Sequence, residues 1–339
     1  MSSIWWIRRD LRLSDNAALA EAMKKGAVIP LFILDPHLMA ANAPRRQGFL
    51  FEGLRNLDAS LRQRGSRLVI RKGEPAEELR KLLGETGAEN IFAEEDFTPH
   101  ARRRDAIVAR DLPLRLLKGQ TVHHPLEVLK PDGSPYVVFT PYSKKWKASL
   151  GGITLLPAPE RIETPAGIQS EPLHASRPLA GFPVGELEAE VRLEEFMHRK
   201  ILDYQTDRHR LDLEGTSSLS PYIHFGMLGL RQAAAAALQS ASSDAWLNEL
   251  IWREFYIQIL YHFPHVRGGS FDASLSEVEW REDLSDFEAW KQGRTGVPIV
   301  DAAMRQLRRT GWMHNRARMI AASYLVKDLL INWQWGERY

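Results

Sequence analysis

The sequence of 339 residues contains no cysteine and no long run of apolar residues. The missing thiols exclude disulfide bonds and cysteine-ligated metal, which is typical of proteins of the reducing cytosol. The only early apolar run, residues 4–7, is too short for the core of a signal peptide and is followed at once by Arg8 and Arg9. No later segment has the length of a membrane span. We therefore expect a soluble, cytoplasmic protein with no membrane partner.

Net charge and two common motifs are also missing. The formal charge is only +2, which neither requires nor excludes a nucleic-acid partner. No G-x-G-x-x-G follows the first apolar run, and the eleven histidines form no H-x-x-x-H or H-E-x-x-H pair. These absences argue against a nicotinamide-dependent oxidoreductase and against a metal-dependent hydrolase, so that no metal site is expected.

Length and patterning predict two domains joined by a connector. Residues 1–125 alternate short continuous apolar runs with helical patterns, which is typical of a buried parallel sheet with helical crossovers. Residues 126–187 are irregular, because six of the nineteen prolines fall between 157 and 183, and they are expected to lie across the surface of both domains. Residues 188–339 are helical nearly throughout. The predicted fold is an α/β Rossmann-like parallel-sheet domain followed by an all-α domain.

Within the first domain, the apolar runs and the helical patterns give element positions. The predicted strands are residues 4–7, 28–34, 67–70, 90–93 and 114–117, and the predicted helices are 16–25, 46–64, 75–83 and 100–110. The charged run at residues 8–12 follows the first strand, at the edge where open α/β sheets bind ligands. An equally good interpretation is a charged loop, capped by Ser14 or Asp15, that leads into the next helix.

Seven of the ten tryptophans lie between residues 246 and 335, and two segments there repeat one arrangement. Each places an indole and polar side chains at i, i+3, i+4 and i+7, which is one face of a helix. The two sets are Glu249, Trp252, Arg253 and Tyr256, and Trp312, Asn315, Arg316 and Met319. Two such faces suggest a shared pocket for an aromatic, charged molecule. The more common alternative is a core indole with its N–H satisfied.

Two further features suit phosphate, each with a structural alternative. Residues 215–222 read Gly-Thr-Ser-Ser-Leu-Ser-Pro-Tyr, which offers N–H and O–H donors either to a pyrophosphate or to an ordinary N-cap turn. Residues 301–319 hold five arginines against one acid. That excess predicts either a phosphate-attracting surface or a solvated helix face.

Long runs of the sequence resemble the photolyase/cryptochrome family. The runs are IWWIRRDLRLSDNAAL, WLNELIWREFY, GRTGVPIVDAAMRQLRRTGWMHNRARM and SYLVKDLLINW, and the similarity covers nearly the whole chain. Family members that repair (6-4) lesions carry His-His after Gly-Trp, and plant-type cryptochromes carry an acid at the position of Asn315. The pair Asn315 and Met319 therefore most resembles a class I cyclobutane pyrimidine dimer photolyase. The resemblance implies light-driven repair of DNA that contains pyrimidine dimers, by a monomer.

The resemblance also implies cofactors and residue roles. The working cofactor is implied to be reduced FAD, and the first domain is implied to carry an antenna pigment of folate or deazaflavin type. Positions that match flavin-lining residues are Tyr204, Thr216, Ser217, Ser218, Leu219, Ser220, Trp246, Arg253 and Arg318. Positions implied to act on the lesion are Glu249, Trp252, Asn315 and Met319, and those implied to contact DNA are Arg208, Tyr256 and Arg316 together with Glu249, Trp252 and Asn315. Trp280 and Trp333 match two members of an electron relay.

Each implied role has a chemical reason. An excited reduced flavin donates one electron to the dimer and receives it back after the ring opens, so that nothing is consumed. Glu249 would hydrogen-bond the dimer and stabilise the charge that develops, and Trp252 would stack on the extruded lesion. Asn315 can both donate and accept hydrogen bonds at the adenine or the lesion. An indole can host the transient radical cation that a relay requires.

The chain ends at Tyr339, whereas members of the family continue with a segment that completes the flavin pocket and the relay. We therefore expect a truncated flavin-binding domain that binds FAD weakly and exposes apolar surface around residues 317–335. Two alternatives to a repair enzyme remain. One is a cryptochrome-like blue-light photoreceptor without repair activity, and the other is a flavin-free nucleic-acid-binding protein that retains the arginine surface.

Overall fold

A computed structural model describes residues 1–41, 43–173 and 181–339. The chain forms two compact units. The first comprises Met1–Pro178, Pro183–Leu202 and Ser217–Arg267, and the second comprises Leu179–Phe182, Asp203–Thr216 and Gly268–Tyr339. The sequence-based division into 1–125, 126–187 and 188–339 rests on composition rather than on contacts, and it stays a prediction.

A parallel sheet forms the core of the first unit, with strand order β3-β2-β1-β4-β5 and with buried, largely apolar strands β1, β2 and β4 at its centre. The strands are β1 (Ser2–Ile7), β2 (Ala27–Leu34), β3 (Val69–Lys72), β4 (Asn90–Glu94) and β5 (Leu114–Leu117). Ile4 of β1 is aligned with Ile29 of β2 on one side and with Ile91 of β4 on the other. The strand order therefore reverses beside β1, as in other doubly wound α/β sheets.

Helices cover the sheet and form the rest of the chain. In chain order they are α1 (Ala17–Met23), α2 (Pro36–Met39), α3 (Pro44–Arg62), α4 (Pro75–Thr86), α5 (Pro99–Asp111), α6 (Phe139–Ala148), α7 (Glu186–Arg199), α8 (Tyr204–Asp207), α9 (Ser220–Phe225), α10 (Leu230–Leu238), α11 (Asp244–His262), α12 (Leu284–Gln292), α13 (Pro298–Thr310), α14 (Asn315–Ser323) and α15 (Trp333–Arg338). The predicted α/β domain followed by helices is confirmed. None of the helices among the described residues has the length and apolar character needed to cross a membrane.

The predicted cap of α1 is wrong. Asn16 caps this helix, because its side chain accepts a hydrogen bond from the Leu19 N–H at 2.9 Å. The side chains of the two predicted caps have other partners: Ser14 donates to Glu186, and Asp15 forms an ion pair with Arg231 at 3.1 Å.

After α6, residues 151–163 of the connector lie along the α/β part of the first unit. The Leu156 carbonyl accepts a hydrogen bond from the Asp15 N–H at 2.7 Å, and the Glu163 carbonyl accepts one from the Val28 N–H at 2.7 Å. The Ile162 N–H donates to the Arg64 carbonyl at 2.9 Å. Backbone hydrogen bonds explain how so many residues without regular structure remain ordered.

The loop after β1 contacts the end of α9 so closely that only glycine fits there. The Leu11 N–H donates to the Phe225 carbonyl at 3.2 Å, and Arg12 Nη1 donates to the Gly226 carbonyl at 3.2 Å. Gly226 has φ 72°, and a Cβ atom on it would lie 1.8 Å from the Arg9 carbonyl oxygen. A backbone atom cannot move aside as a flexible side chain can, so this junction tolerates no side chain.

We expect Gly226→Ala to destabilise the protein far more than Gly133→Ala. Both glycines have a positive φ, 72° and 80°, but a Cβ on Gly133 would meet no atom within 4 Å. Gly133→Ala should therefore cost only the left-handed backbone penalty of about 1 kcal/mol, whereas Gly226→Ala adds a steric clash of about 3 kcal/mol or more. Urea unfolding measures both free energies, and equal losses would contradict the role of the junction.

Glu254, in the middle of α11, is buried and holds residues that precede α6 and lie within it. Its carboxylate accepts hydrogen bonds from Trp146 Nε1 at 2.5 Å, from the His123 N–H at 3.3 Å and from the Val122 N–H. Burial raises the pKa of Glu254 to about 7, although these hydrogen bonds oppose the shift. The folded state therefore holds a proton on Glu254 more tightly than the unfolded chain does.

We expect Glu254→Gln to reduce the pH dependence of stability. Because the folded pKa of about 7 lies above the usual 4.5, the stability from this group is fully present below about pH 4.5 and is lost as the pH rises through 7. In the unchanged protein, the free energy of unfolding should fall by on the order of 3 kcal/mol between about pH 5 and about pH 8, and the variant should lack this fall. Urea unfolding at both pH values measures it. Glu160→Gln, at an exposed position, should leave the fall unchanged, and an unchanged fall in Glu254→Gln would contradict the assignment.

The core of the second unit joins α12, α13 and α14 with the residues that follow. It consists of Trp290, Val300, Ala303, Met304, Met313, Ala317, Ala321, Leu325 and Ile331. Gly311, with φ 76°, ends α13, and His314 caps α14 by accepting a hydrogen bond from the Arg316 N–H at 3.1 Å. Trp312 lies between these helices. Its predicted place on one helix face with Asn315 is therefore wrong.

Residues 317–335 do not form one continuous helix. A π-helical turn, Tyr324–Asp328, follows α14, and Leu330 adopts φ 55° before α15 begins. Ala317, Ala321 and Leu325 are buried in the core, while Met319 is 57% exposed and Leu330 is 48% exposed. The expected apolar exposure is thus present on one side of this segment only.

Candidate functional site

Helix α11 carries the first predicted face on the first unit. Trp246 is buried against Phe196, with ring centroids 5.0 Å apart. One turn later, Glu249 and Trp252 are half-buried, and the exposed Tyr256 follows with its ring centroid 5.5 Å from that of Trp252. The sequence therefore placed these side chains on one accessible side of a helix correctly.

Arg253 lies beside this face and has an unsatisfied buried atom. Its Nε is buried and has no hydrogen-bond partner among the described residues. Burial, and then repulsion from Arg9, lower the pKa of Arg253 to about 10, so that the guanidinium stays charged at neutral pH. A buried donor atom of a cation is costly when it has no partner, and an anion would satisfy it. Arg253 therefore fits the predicted contact with an anionic cofactor such as FAD.

The predicted phosphate loop spans the boundary of the two units. On the second unit, Gly215 lies against Asp207, and a Cβ on it would lie 2.6 Å from Asp207 Cβ. On the first unit, Ser218 has φ 52°, and Ser217 Oγ accepts a hydrogen bond from the Leu219 N–H at 3.5 Å. The first turn of α9 has no side-chain cap. The N-cap interpretation of this loop is therefore not supported, and Thr216 and Ser220 are at least partly exposed to solvent.

Two other predicted residues lie together on α8 and its end, within the second unit. Tyr204 is buried, and the Arg208 guanidinium lies 5.6 Å from its ring centroid. This separation suits a cation–π contact. The contact holds the Arg208 guanidinium against the buried Tyr204 ring.

Helix α14 carries the second predicted face. Asn315 Nδ2 lies 4.0 Å from Met319 Sδ, and both side chains are exposed. Arg316 hydrogen-bonds His209 Nδ1, and Arg318 is exposed on the same helix. The amide and the thioether that the sequence paired are thus neighbours on an accessible surface.

The two predicted relay tryptophans lie next to segments that pair with each other. Arg281 and Ile331 form an isolated parallel bridge, and the Arg281 N–H donates to the Leu330 carbonyl at 2.8 Å. Trp280 directly precedes this bridge, and Trp333 begins α15 just after it. Both indoles are half-buried. The second unit therefore brings together two segments that are far apart in the sequence.

The predicted site residues are divided between the units. Serines 217, 218 and 220, Leu219, Trp246, Glu249, Trp252, Arg253 and Tyr256 belong to the first, and Tyr204, Arg208, Thr216, Trp280, Asn315, Arg316, Arg318, Met319 and Trp333 belong to the second. A shared pocket between the faces of α11 and α14 stays a prediction.

A separate cavity of about 530 Å³ lies at the carboxyl ends of β1, β2 and β4. Its lining includes Arg8 and Arg9 after β1, Asp35 after β2 and Asp96 after β4. Open α/β sheets bind ligands at this edge, where the strand order reverses. The cavity favours the ligand-binding interpretation of residues 8–12 over that of a simple charged loop.

Aromatic and cationic side chains line this cavity. The guanidinium groups of Arg8 and Arg104 each lie 4.8 Å from the Trp6 ring centroid, and Arg8 also forms an ion pair with Asp105 at 2.6 Å. His100 also lines the cavity, and its ring stacks on that of His37 with centroids 4.5 Å apart. Sequence reasoning identified the loop after β1 but missed His100. The sequence signal for further cavity residues was Asp35, which directly follows the predicted strand 28–34.

Comparisons with known proteins agree with these features. Residues 3–163 match the family model described as DNA photolyase, and residues 246–339 match the model described as the FAD binding domain of DNA photolyase. The deoxyribodipyrimidine photo-lyase of Synechococcus sp. is 40% identical, over 99% of this chain and 76% of that protein. The enzyme of the same name from Thermus thermophilus is 39% identical, over 97% of this chain and 77% of that protein.

Solved structures of photolyases and of a cryptochrome are also similar to this chain. A class III photolyase from Agrobacterium tumefaciens has a TM-score of 0.92 at 33% identity, over 99% of this chain and 75% of that chain. A cryptochrome from Synechocystis sp. has a TM-score of 0.87 at 27% identity, over 99% and 77%. A photolyase from Sulfolobus tokodaii, solved with two FAD molecules, has a TM-score of 0.85 at 29% identity, over 100% and 78%.

We expect Arg253→Lys to weaken FAD binding. Lysine keeps the positive charge but removes the Nε donor that lacks a partner in this structure. Loss of one charge-assisted hydrogen bond should raise the Kd for FAD about tenfold. Titration of the purified chain with FAD measures it. Arg110→Lys, an exposed arginine paired with Asp111, should leave the Kd unchanged, and equal affinity in Arg253→Lys would contradict the assignment.

Proposed function

Because the chain belongs to the DNA photolyase family, we propose that it is a deoxyribodipyrimidine photolyase, which repairs cyclobutane pyrimidine dimers in DNA with light. The observation that carries the proposal is the exposed pair Asn315 and Met319 on α14, within a chain 40% identical to an enzyme of that name. An amide beside a thioether suits an uncharged pyrimidine and offers no acid–base group for a (6-4) lesion.

Reduced FAD, when bound and excited by light, supplies the single electron that opens the dimer. The residues assigned to hold it are Tyr204, the loop from Thr216 to Ser220, Trp246, Arg253 and Arg318. The free donor of Arg253 supports this assignment on the first unit. The half-exposed hydroxyl groups of Ser217 and Ser218 supply further donors for phosphate oxygens.

Four residues are assigned to the lesion. Glu249 accepts or donates a hydrogen bond at the polar edge of the dimer, and charge that develops there strengthens this bond. Trp252 stacks on the extruded pyrimidines. Asn315 donates through Nδ2 and accepts through Oδ1, while Met319 packs its sulfur against the ring face. These groups orient the dimer and exclude water around it.

The DNA strand on either side of the lesion is assigned to cationic and aromatic side chains. Arg208 and Arg316 are placed to contact phosphates, and Tyr256, which is 63% exposed, offers a ring to a neighbouring base. Arg308 and Arg309 are exposed on α13 and extend the positive surface of the second unit. We propose that a monomer makes these contacts. Trp280 and Trp333 are assigned to electron transfer through the second unit.

The sheet-edge cavity is assigned to an antenna pigment of folate or deazaflavin type. Its volume of about 530 Å³ suits a planar heterocycle, and Arg8, Arg9 and Arg104 suit an anionic tail. The structural relative from Sulfolobus tokodaii, which holds two FAD molecules, supports a second chromophore in proteins of this fold.

A cryptochrome-like photoreceptor without repair activity is the second candidate. The structural likeness to the Synechocystis cryptochrome favours it, at a TM-score of 0.87. The same flavin would serve both functions, so absorbance alone does not separate them. Turnover of dimers under light does.

We expect the FAD-loaded, reduced chain to convert dimers in an oligonucleotide to monomers under blue light and not in the dark. Glu249→Gln should lower the repair yield per absorbed photon about threefold or more, because a neutral amide stabilises developing charge less well. Glu279→Gln, an exposed glutamate on the second unit, is the matched control. Chromatography of the illuminated oligonucleotide measures the yield. Flavin binding without any light-dependent turnover would reject repair in favour of the photoreceptor.

A further inference from the structure

Trp252 has an aromatic partner that the proposed function does not use. The Phe139 ring lies on the Trp252 ring with centroids 3.6 Å apart and planes inclined by 5°. Most aromatic pairs in proteins are offset or meet edge to face. A nearly parallel pair at this distance covers most of one indole face. Phe139 therefore occupies one face of Trp252, while the Tyr256 ring lies beside the indole with centroids 5.5 Å apart and planes inclined by 24°.

The position of Phe139 is fixed by the packing of α6 against α11. Ser143 Oγ donates to Asn248 Oδ1 at 3.1 Å, and Lys147 forms an ion pair with Asp244. From the Phe139–Trp252 pair, these contacts lie one and two turns further along α6 and one and two turns back along α11. The two helices are therefore antiparallel and in register, and the aromatic pair is the first of three successive contacts.

Buried contacts on the adjacent side of α6 hold the same register. Tyr142 is buried with its ring centroid 5.3 Å from that of Phe255, and Trp146 Nε1 donates to Glu254 at 2.5 Å. If Phe139 left the indole as part of a moving helix, these contacts would break with it. The Phe139 ring is therefore a fixed support and not a flap that opens.

We propose that Phe139 is a positioning residue for the lesion, which holds the Trp252 indole in the orientation that an extruded pyrimidine stacks on. The proposal rests on the proposed function, because it assigns Trp252 to the dimer. Phe139 itself would touch neither the dimer nor the cofactor. Its contribution is to remove the rotational freedom of the indole before DNA binds, so that less entropy is lost on stacking.

Loss of this support should affect one step of the reaction. A free indole still presents an aromatic surface, but it must be ordered by each dimer that binds. The affinity for dimer-containing DNA should therefore fall. The affinity for undamaged DNA and the FAD content of the protein should stay unchanged, because neither depends on the orientation of the Trp252 indole.

Two substitutions at the same position separate the aromatic face from simple space filling. Phe139→Leu keeps an apolar side chain but removes the planar face, and it should weaken dimer binding about three- to tenfold. Phe139→Tyr keeps the face and should bind within about twofold of the unchanged chain. Phe271→Leu, in the second unit and 48% exposed, is the matched control. Fluorescence anisotropy with dimer-containing and undamaged oligonucleotides measures each Kd.

A double-substitution cycle tests whether Phe139 acts through Trp252. Trp252→Ala alone should weaken dimer binding, and adding Phe139→Leu to it should cause no further loss. Several results would overturn the inference: unchanged or tighter dimer binding in Phe139→Leu, equal losses for damaged and undamaged DNA, or full additivity with Trp252→Ala. If Trp252→Ala itself leaves dimer binding unchanged, the assignment of the lesion to Trp252 fails as well. If Trp252→Ala weakens dimer binding and Phe139→Leu does not, the role of Phe139 is rejected but the assignment of the lesion to Trp252 is not.

Discussion

The orientation of α11 depends on one buried carboxylate. Glu254 accepts hydrogen bonds from Val122 and His123 before α6 and from Trp146 within it, so that both segments are held on one side of α11. Glu249, Trp252, Arg253 and Tyr256 are all carried by the same helix. A rotation of α11 by one residue would move Trp252 away from Phe139 and Arg253 away from its present surroundings. The buried acid thus helps to set the direction of the assigned side chains on α11.

The sheet determines the second feature of that unit, the cavity beside β1. Parallel strands end at the same edge, and the cavity lies at that edge where the strand order reverses between β1 and β4. The loop after β1 serves two purposes, because Arg8 lines the cavity while Arg12 is buried against Glu94 at 2.7 Å. Charges that look alike in the sequence therefore have different surroundings in the fold.

Errors made from the sequence share one cause. Trp312, Asn315 and Met319 have the spacing of a helix face, but Gly311 ends α13 in a left-handed conformation and His314 starts a new helix after it. Ser14 and Asp15 are good capping residues, but contacts with Glu186 and Arg231 occupy both. Local spacing describes what a segment can do, whereas residues distant in the chain decide which of its options is realised.

The sequence alone determined the strands, the order of the α/β and helical parts, the family and the neighbouring positions of Asn315 and Met319. Each of these depends on contiguous runs, in which periodicity and residue type carry the information. The tertiary structure decided the stack of Phe139 on Trp252, the unsatisfied Nε of Arg253 and the place of His100 in the cavity lining. These features join residues from separate elements, and only the packing of α6, α11 and the sheet brings such residues together.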